Sequence, residues 1–357
     1  MAVDYSNPQK YLGEYKACYI GYAQDEGVRS EAASGGVVTS ILIYLLDRGL
    51  IQGALVTRQQ MEDGEIGYKT FIATTKEEIL DCRTSVYMDL PLAKHFKEIT
   101  GFDGKVAVVA LPCHLRALSK LEEKYPVLKE KIVLKISLFC SGSPSPELTK
   151  RTLIRCRINP SEVSRIYFRK GHWRGETHVE MTNGETKRIS YLYNLCMYKN
   201  LYYYATPRCY SCNDHFGFNG DISCGDVWLK EMKADPIKHT GIVAKNERAQ
   251  RLIEDMIREN VISAREIDAS QTVKSQKRAV TYKFHCGRAK KSLGGLFGLK
   301  YTGEAKEPSR WNHYLAVFLI SLNIKASESP FWSRLAFAMP RRLMFLYMGF
   351  IRFLLSY

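Results

Sequence analysis

The alternation of apolar and polar stretches divides the first 140 residues into short strands and helices. Lys16–Tyr22, Gly53–Thr57 and Lys69–Thr74 read as strands. Lys105–Leu111 is a continuous apolar run, as expected of a strand covered on both faces, and Ile132–Phe139 is a further buried strand. Between them, apolar residues recur at helical spacing over Val37–Arg48, and shorter helices are predicted at Lys76–Asp81 and Leu115–Glu123. Strands alternating with helices predict an α/β fold with a largely parallel sheet over residues 1–145.

From residue 146 to 265 the pattern becomes α+β. Val163–Arg169, Thr177–Thr182 and Thr186–Ile189 are strands, with Asn183-Gly184 as a hairpin turn. A tyrosine-rich helix over about Tyr191–Tyr204 leads to Pro207, and a strand at Gly241–Lys245 precedes a helix at Glu247–Glu259. This region is expected to dock on the first. Residues 266–357 read as a basic linker followed by a helical tail. Within the tail, aromatic residues of Phe331–Tyr357 interleave with Arg334, Arg341, Arg342 and Arg352. Its longest uncharged run, Leu343–Ile351, is far shorter than the roughly 20 residues a spanning helix needs. The expectation is a peripheral, amphipathic contact of residues 331–357 with an anionic membrane surface, or packing on another subunit. On the membrane reading, deleting 331–357 should leave the rest of the protein intact.

Charge adds to this picture. The 357 residues carry a formal net charge of +15, concentrated after residue 270. Lys274, Lys277, Arg278, Lys283, Arg288, Lys290 and Lys291 form a block that implies either an anionic partner or a solvated surface. No nucleic-acid-binding motif accompanies the charge, so a nucleic-acid partner is not expected. Met1–Lys10 is polar and has no apolar stretch of the secretory kind, which predicts a cytoplasmic protein with reduced cysteines.

The candidate chemistry lies in the cysteines. Cys209 and Cys212 form a CxxC pair, with Cys224 twelve residues on, while Cys113 and Cys140 each follow an apolar strand. Strand ends on a parallel sheet face one crevice, so these thiols can converge. Four thiolates with few histidines favour an iron–sulfur cluster, with structural zinc on Cys209, Cys212 and Cys224 as the alternative. Cys18, Cys82, Cys156 and Cys196 read as small buried residues. His114 is a candidate ligand or proton donor, although its turn position favours a solvent-facing side chain. Ser34-Gly35-Gly36 precedes the Val37 helix. There Ser34 can cap, and the glycine amides can approach a phosphate.

Ser34-Gly35-Gly36-Val37-Val38-Thr39, Leu111-Pro112-Cys113, Leu138-Phe139-Cys140, Phe168-Arg169-Lys170, Cys209-Tyr210-Ser211-Cys212 and Asp221-Ile222-Ser223-Cys224-Gly225-Asp226 occur in this order. Over residues 15–260 the set resembles the coenzyme F420 hydrogenase/dehydrogenase beta-subunit family. The resemblance implies FAD in the first domain and a 4Fe-4S cluster in the second region. It also implies coenzyme F420 or a similar hydride carrier as substrate, and a one-electron redox partner such as a ferredoxin or another subunit of a complex. Carried over by position, Ser34, Gly35, Gly36, Thr39, Ser85 and Tyr87 contact the flavin. Arg169 and Lys170 meet the flavin or an anionic substrate. Cys113, Cys140, Cys209 and Cys212 hold the cluster, with Cys224 the alternate to Cys113. Other readings are a ferredoxin-linked reductase of an organic substrate and a non-catalytic metal-binding adaptor.

Overall fold

The computed structural model describes residues 3–62, 64–171 and 175–356; Tyr357, the last residue of the tail reading, lies outside them. Eleven strands are described: β1 (Ala17–Ala23), β2 (Gly53–Glu62), β3 (Glu65–Ala73), β4 (Val106–Ala110), β5 (Ile132–Leu138), β6 (Val163–Lys170), β7 (Glu176–Met181), β8 (Thr186–Ser190), β9 (Ile222–Asp226), β10 (Thr240–Ala244) and β11 (Ile262–Ile267). Eight of them form one sheet in the order β11-β1-β10-β9-β5-β4-β2-β3. The four central strands β9, β5, β4 and β2 are parallel. The flanks are antiparallel, with β3 on one side and β10, β1 and β11 on the other. The protein is an α/β fold, and its parallel core is the part that the alternating pattern predicts.

Burial on two faces explains the continuous apolar run of β4. Val106, Val108 and Ala110 of β4 point into one core, while Ala107 points into another that holds Leu134 and Ile136 of β5. Helices Val37–Asp47 and Glu247–Arg258 cover the second core through Val37, Ile41, Leu45 and through Ala249, Ile253, Met256. Strand β9 was hidden from the apolar pattern because its centre is Ser223-Cys224-Gly225, of which only the small Ser223 and Cys224 are buried. Gly225 is required there: a Cβ would come within 2.2 Å of the Phe139 ring. A three-stranded antiparallel sheet, β6-β7-β8, lies beside the main one and turns at Asn183-Gly184 as predicted.

The tail forms three helices, Trp311–Glu328, Pro330–Ala338 and Arg341–Leu354. It is not a detachable appendage. Ala316, Val317, Ile320, Phe337, Met344, Met348, Ile351 and Leu354 share the larger core with Tyr198, Tyr203 and Tyr210. Phe337 stacks on Tyr198 at 3.9 Å between centroids and 8° between planes. Asn323 ties in both directions, donating to the Leu201 carbonyl at 2.8 Å and accepting from the Tyr347 hydroxyl at 3.0 Å. The expectation of a harmless deletion of 331–357 is therefore corrected, because one face of each helix there is core, through Ala336 and Phe337 and through Met344, Met348, Ile351 and Leu354. Among the described residues no helix is long and apolar enough to cross a membrane.

Candidate functional site

A cavity of about 290 Å³ opens beyond the carboxyl ends of β2, β4, β5 and β9, where open α/β sheets place their ligands. Its wall is mostly apolar. Ser34 and Gly36 line it from the turn before the Val37–Asp47 helix and Thr39 from that helix, Ser85 and Tyr87 from the loop before Met88, His114 from the Pro112–Lys124 helix, Cys140 from just beyond β5, and Arg169 and Cys224 from β6 and β9. Gly35 and Lys170 do not line it. Lys170 instead pairs with Glu31 at 2.7 Å.

The glycine turn is built differently from the sequence reading. Ser34 does not cap the helix: its hydroxyl donates to the His239 carbonyl at 2.9 Å. The Gly35 amide is already taken by the Thr240 hydroxyl at 2.9 Å. Gly36 is the N-cap with φ of 81°, and a Cβ there would sit 3.1 Å from Val28 and Ala23. Both glycines are thus demanded by the turn itself, and Gly36→Val would strain the backbone whatever binds nearby.

Pro112 ends β4 and occupies the first turn of the Pro112–Lys124 helix, where its missing N–H costs nothing. This puts Cys113 and His114 on that first turn. His114 is buried, contrary to the solvent-facing expectation, and burial pulls its pKa down to about 4, so it is a neutral imidazole. Arg169 is 3% exposed, paired with Asp226 and placed over the Tyr191 and Trp228 rings at 5.5 and 5.7 Å. This is a fixed cation at the cavity wall.

All ten cysteines are free thiols. Cys113, Cys209 and Cys212 neighbour Cys140, which alone of the four lines the cavity. Burial pushes Cys113 up to about 11, and the neighbouring Cys140, Cys212 and Cys209 add to the rise. Burial, Cys140 and Cys212 push Cys209 up to about 11, against Lys283 and the Ser143 amide, which lies 3.4 Å from its sulfur. Cys212 goes the other way: burial, the largest influence, would raise it, but the charge and hydrogen bond of Lys283 together with the Asp214 backbone lower it. Cys224 stands apart on β9, 1% exposed, with burial alone pushing it up to about 12. Among the described residues no three His, Cys, Asp or Glu side chains are arranged to grip a single metal ion.

Several site residues escaped the sequence reading. Lys283 looked like surface charge within the basic block, yet it is 2% exposed, with Nζ 3.1 Å from the Cys212 sulfur and 2.6 Å from the Asp214 carbonyl. Burial alone would lower its pKa, but the thiols of Cys212, Cys140 and Cys209 raise it. His215 is held between the Cys140 carbonyl at 3.0 Å and Gln276 at 3.2 Å, with burial pulling it down to about 3. Only the pairing of a CxxC with a nearby Asp-His could have hinted at it.

The fold and its relatives define an oxidoreductase subunit. The N-terminal model of the coenzyme F420 hydrogenase/dehydrogenase beta subunit matches residues 18–97, and the C-terminal model matches residues 103–270. The chain belongs to this family. It is 29% identical over 227 residues to the coenzyme F420 hydrogenase subunit beta of Methanosarcina barkeri, covering 61% of this chain and 72% of that protein. It is 27% identical over 251 residues to the F420-dependent formate dehydrogenase subunit beta of Methanocaldococcus jannaschii, covering 68% of this chain and 60% of that protein. A chain of the F420-reducing NiFe hydrogenase complex from Methanosarcina barkeri shares the fold, with a TM-score of 0.60 and 20% identity over 86% of this chain and 99% of that one.

Proposed function

We propose that this chain is a flavin- and iron–sulfur-dependent oxidoreductase that exchanges electrons between a hydride carrier, coenzyme F420 or a similar deazaflavin, and a one-electron partner protein. The observation that carries the reading is the convergence of four cysteines beside an apolar cavity, with Cys140 belonging to both. Four cysteine thiols are the donor set that an iron–sulfur cluster takes. Cys113, Cys140, Cys209 and Cys212 would hold it, Cys113 being favoured over Cys224 because Cys224 has no thiol neighbour among the causes of its shift.

The cavity suits the ring system of FAD. Its wall is apolar, Ser34, Thr39 and Ser85 offer hydroxyls, Tyr87 offers an aromatic face, and the buried Arg169 offers a charge for an electron-rich edge. Gly36 belongs to that wall, while Gly35 acts by shaping the turn. When bound, a flavin supplies conversion between two-electron and one-electron transfer. The protein's part is to exclude water with this apolar wall, to hold a positive charge at Arg169, and to keep His114 neutral, with one ring nitrogen able to donate a hydrogen bond and the other to accept one. The F420-linked relatives support the hydride carrier as substrate.

Anaerobic purification followed by flavin absorbance and iron and sulfide analysis tests the reading. Flavin with about four irons per chain is expected, and a colourless protein holding zinc overturns it.

A contact with an anionic membrane surface remains a reading for the tail's outer face alone. Phe331 (68%), Trp332 (55%) and Leu346 (69%) are exposed beside the exposed Arg334, Arg341 and Arg342. Replacing Leu343 and Leu346 by Ser should abolish co-sedimentation with anionic liposomes at low salt, and unchanged binding refutes it.

A further inference from the structure

Two lysines of the basic segment are buried behind the cysteines, where a charge is expensive. Lys283 is 2% exposed and Lys290 is fully buried. The Thr281–His285 π-helix delivers Lys283 to the site, and such widened turns often mark functional positions. Lys283 Nζ donates to the Cys212 sulfur at 3.1 Å and to the Asp214 carbonyl at 2.6 Å. Lys290 Nζ has no hydrogen-bond partner and sits 3.7 Å above the Tyr282 ring centre, with the Tyr210 ring at 5.7 Å.

Neither ammonium has a carboxylate in a salt bridge among the described residues. Removing an ammonium from water costs several kcal/mol unless an opposite charge compensates. The groups that face Lys283 are the Cys212 sulfur and the Asp214 carbonyl; those that face Lys290 are the Tyr282 and Tyr210 rings, and burial pulls Lys290 down to about 8. A four-thiolate cluster gains one more negative charge on reduction, and a buried cation close by favours that reduced form. N–H···S bonds act in the same direction.

We infer that Lys283 and Lys290 are positioning residues that raise the reduction potential of the cluster, Lys283 through a charged hydrogen bond to the Cys212 sulfur and Lys290 through space. The inference rests on the iron–sulfur reading above. Both residues lie beyond position 270, where the family models end, so this chain's own C-terminal segment sets the potential.

The test is a mediated dithionite titration of the purified, iron-loaded protein, followed by electron paramagnetic resonance. Dithionite supplies the single electron that enters the cluster. Lys283→Met should keep its iron and shift the one-electron equilibrium toward the oxidised form by about tenfold or more, which is 59 mV per decade. Lys283→Arg, which retains the charge, should stay near wild type. Lys290→Met should shift in the same direction by less. A wild-type chain without iron overturns the cluster reading and this inference with it. A fully iron-loaded Lys283→Met with an unmoved potential overturns this inference alone. Should Lys283→Met fail to hold iron, Lys290→Met decides, and an unmoved potential there overturns the inference.

Discussion

Phe337→Ala should destabilise the protein severely, while Leu346→Ala on the neighbouring helix should leave it almost unchanged. Phe337 is 7% exposed, stacks flat on Tyr198 and meets Tyr203 edge-on at 6.1 Å. Truncating a buried phenylalanine costs about 3–5 kcal/mol, of which about 0.5–1.5 reflects the lost aromatic pair. Leu346 projects into solvent, and its truncation should cost no more than about 0.5 kcal/mol. The two variants should therefore differ by roughly 10² to 10³ in the folded-to-unfolded ratio, at about 1.4 kcal/mol per decade. Urea unfolding of the loaded protein, followed in parallel by tryptophan fluorescence and by visible absorbance, measures this. Tyr198 lies on the chain that runs into Cys209, so the visible band of Phe337→Ala should fade at lower urea along with the fluorescence change. Equal midpoints for the two variants would refute the claim that the tail is part of the core.

Cys113→Ala should lose iron while Cys224→Ala keeps it at some cost in packing, and iron analysis of both variants checks this; the reverse pattern would exchange the two roles. His285, whose Nε2 lies 3.0 Å from the Tyr11 hydroxyl, is pulled by burial from the ordinary 6.5 down to about 4. The unfolded chain takes that proton first, so the stability this group supplies is complete above pH 6.5 and is lost as pH falls toward 4, by about 1.4 kcal/mol per unit. His285→Gln should flatten the dependence of the urea midpoint on pH between 6.5 and 5, and an unchanged slope would sink the assignment.

The parallel centre of the sheet was legible because two-sided burial writes itself as an unbroken apolar run at Val106–Ala110 and as a run broken only by Lys135 and Ser137 at Ile132–Leu138. The first tail helix, Trp311–Glu328, was legible only as an undivided part of a helical tail. Strand β9 was read as a cysteine motif, because small buried residues carry no hydrophobic signal even in the middle of a sheet. His114 was misplaced because Pro112 was taken to end a strand without also starting a helix. Ser34 was misread as a cap because a glycine with positive φ, Gly36, can begin a helix unaided. Lys283 and Lys290 were invisible for a more general reason: composition shows that a charge exists and says nothing of which side of the surface it occupies.

The place of β1 in the sheet carries a consequence for how the protein is made. This strand ends at Ala23, yet both of its neighbours, Thr240–Ala244 and Ile262–Ile267, come more than two hundred residues later. At a synthesis rate of roughly 5–20 residues per second, β1 leaves the ribosome some 10–40 s before either partner exists. Loop closure over that span must also precede any reward from pairing. Until then the Ser34–Gly36 turn lacks His239 and Thr240, which hold it, so one wall of the cavity is unmade. A nascent chain thus waits with an exposed, pairing-competent strand and an incomplete pocket. Chaperone engagement at the N-terminus and late acquisition of any prosthetic group follow from the strand order.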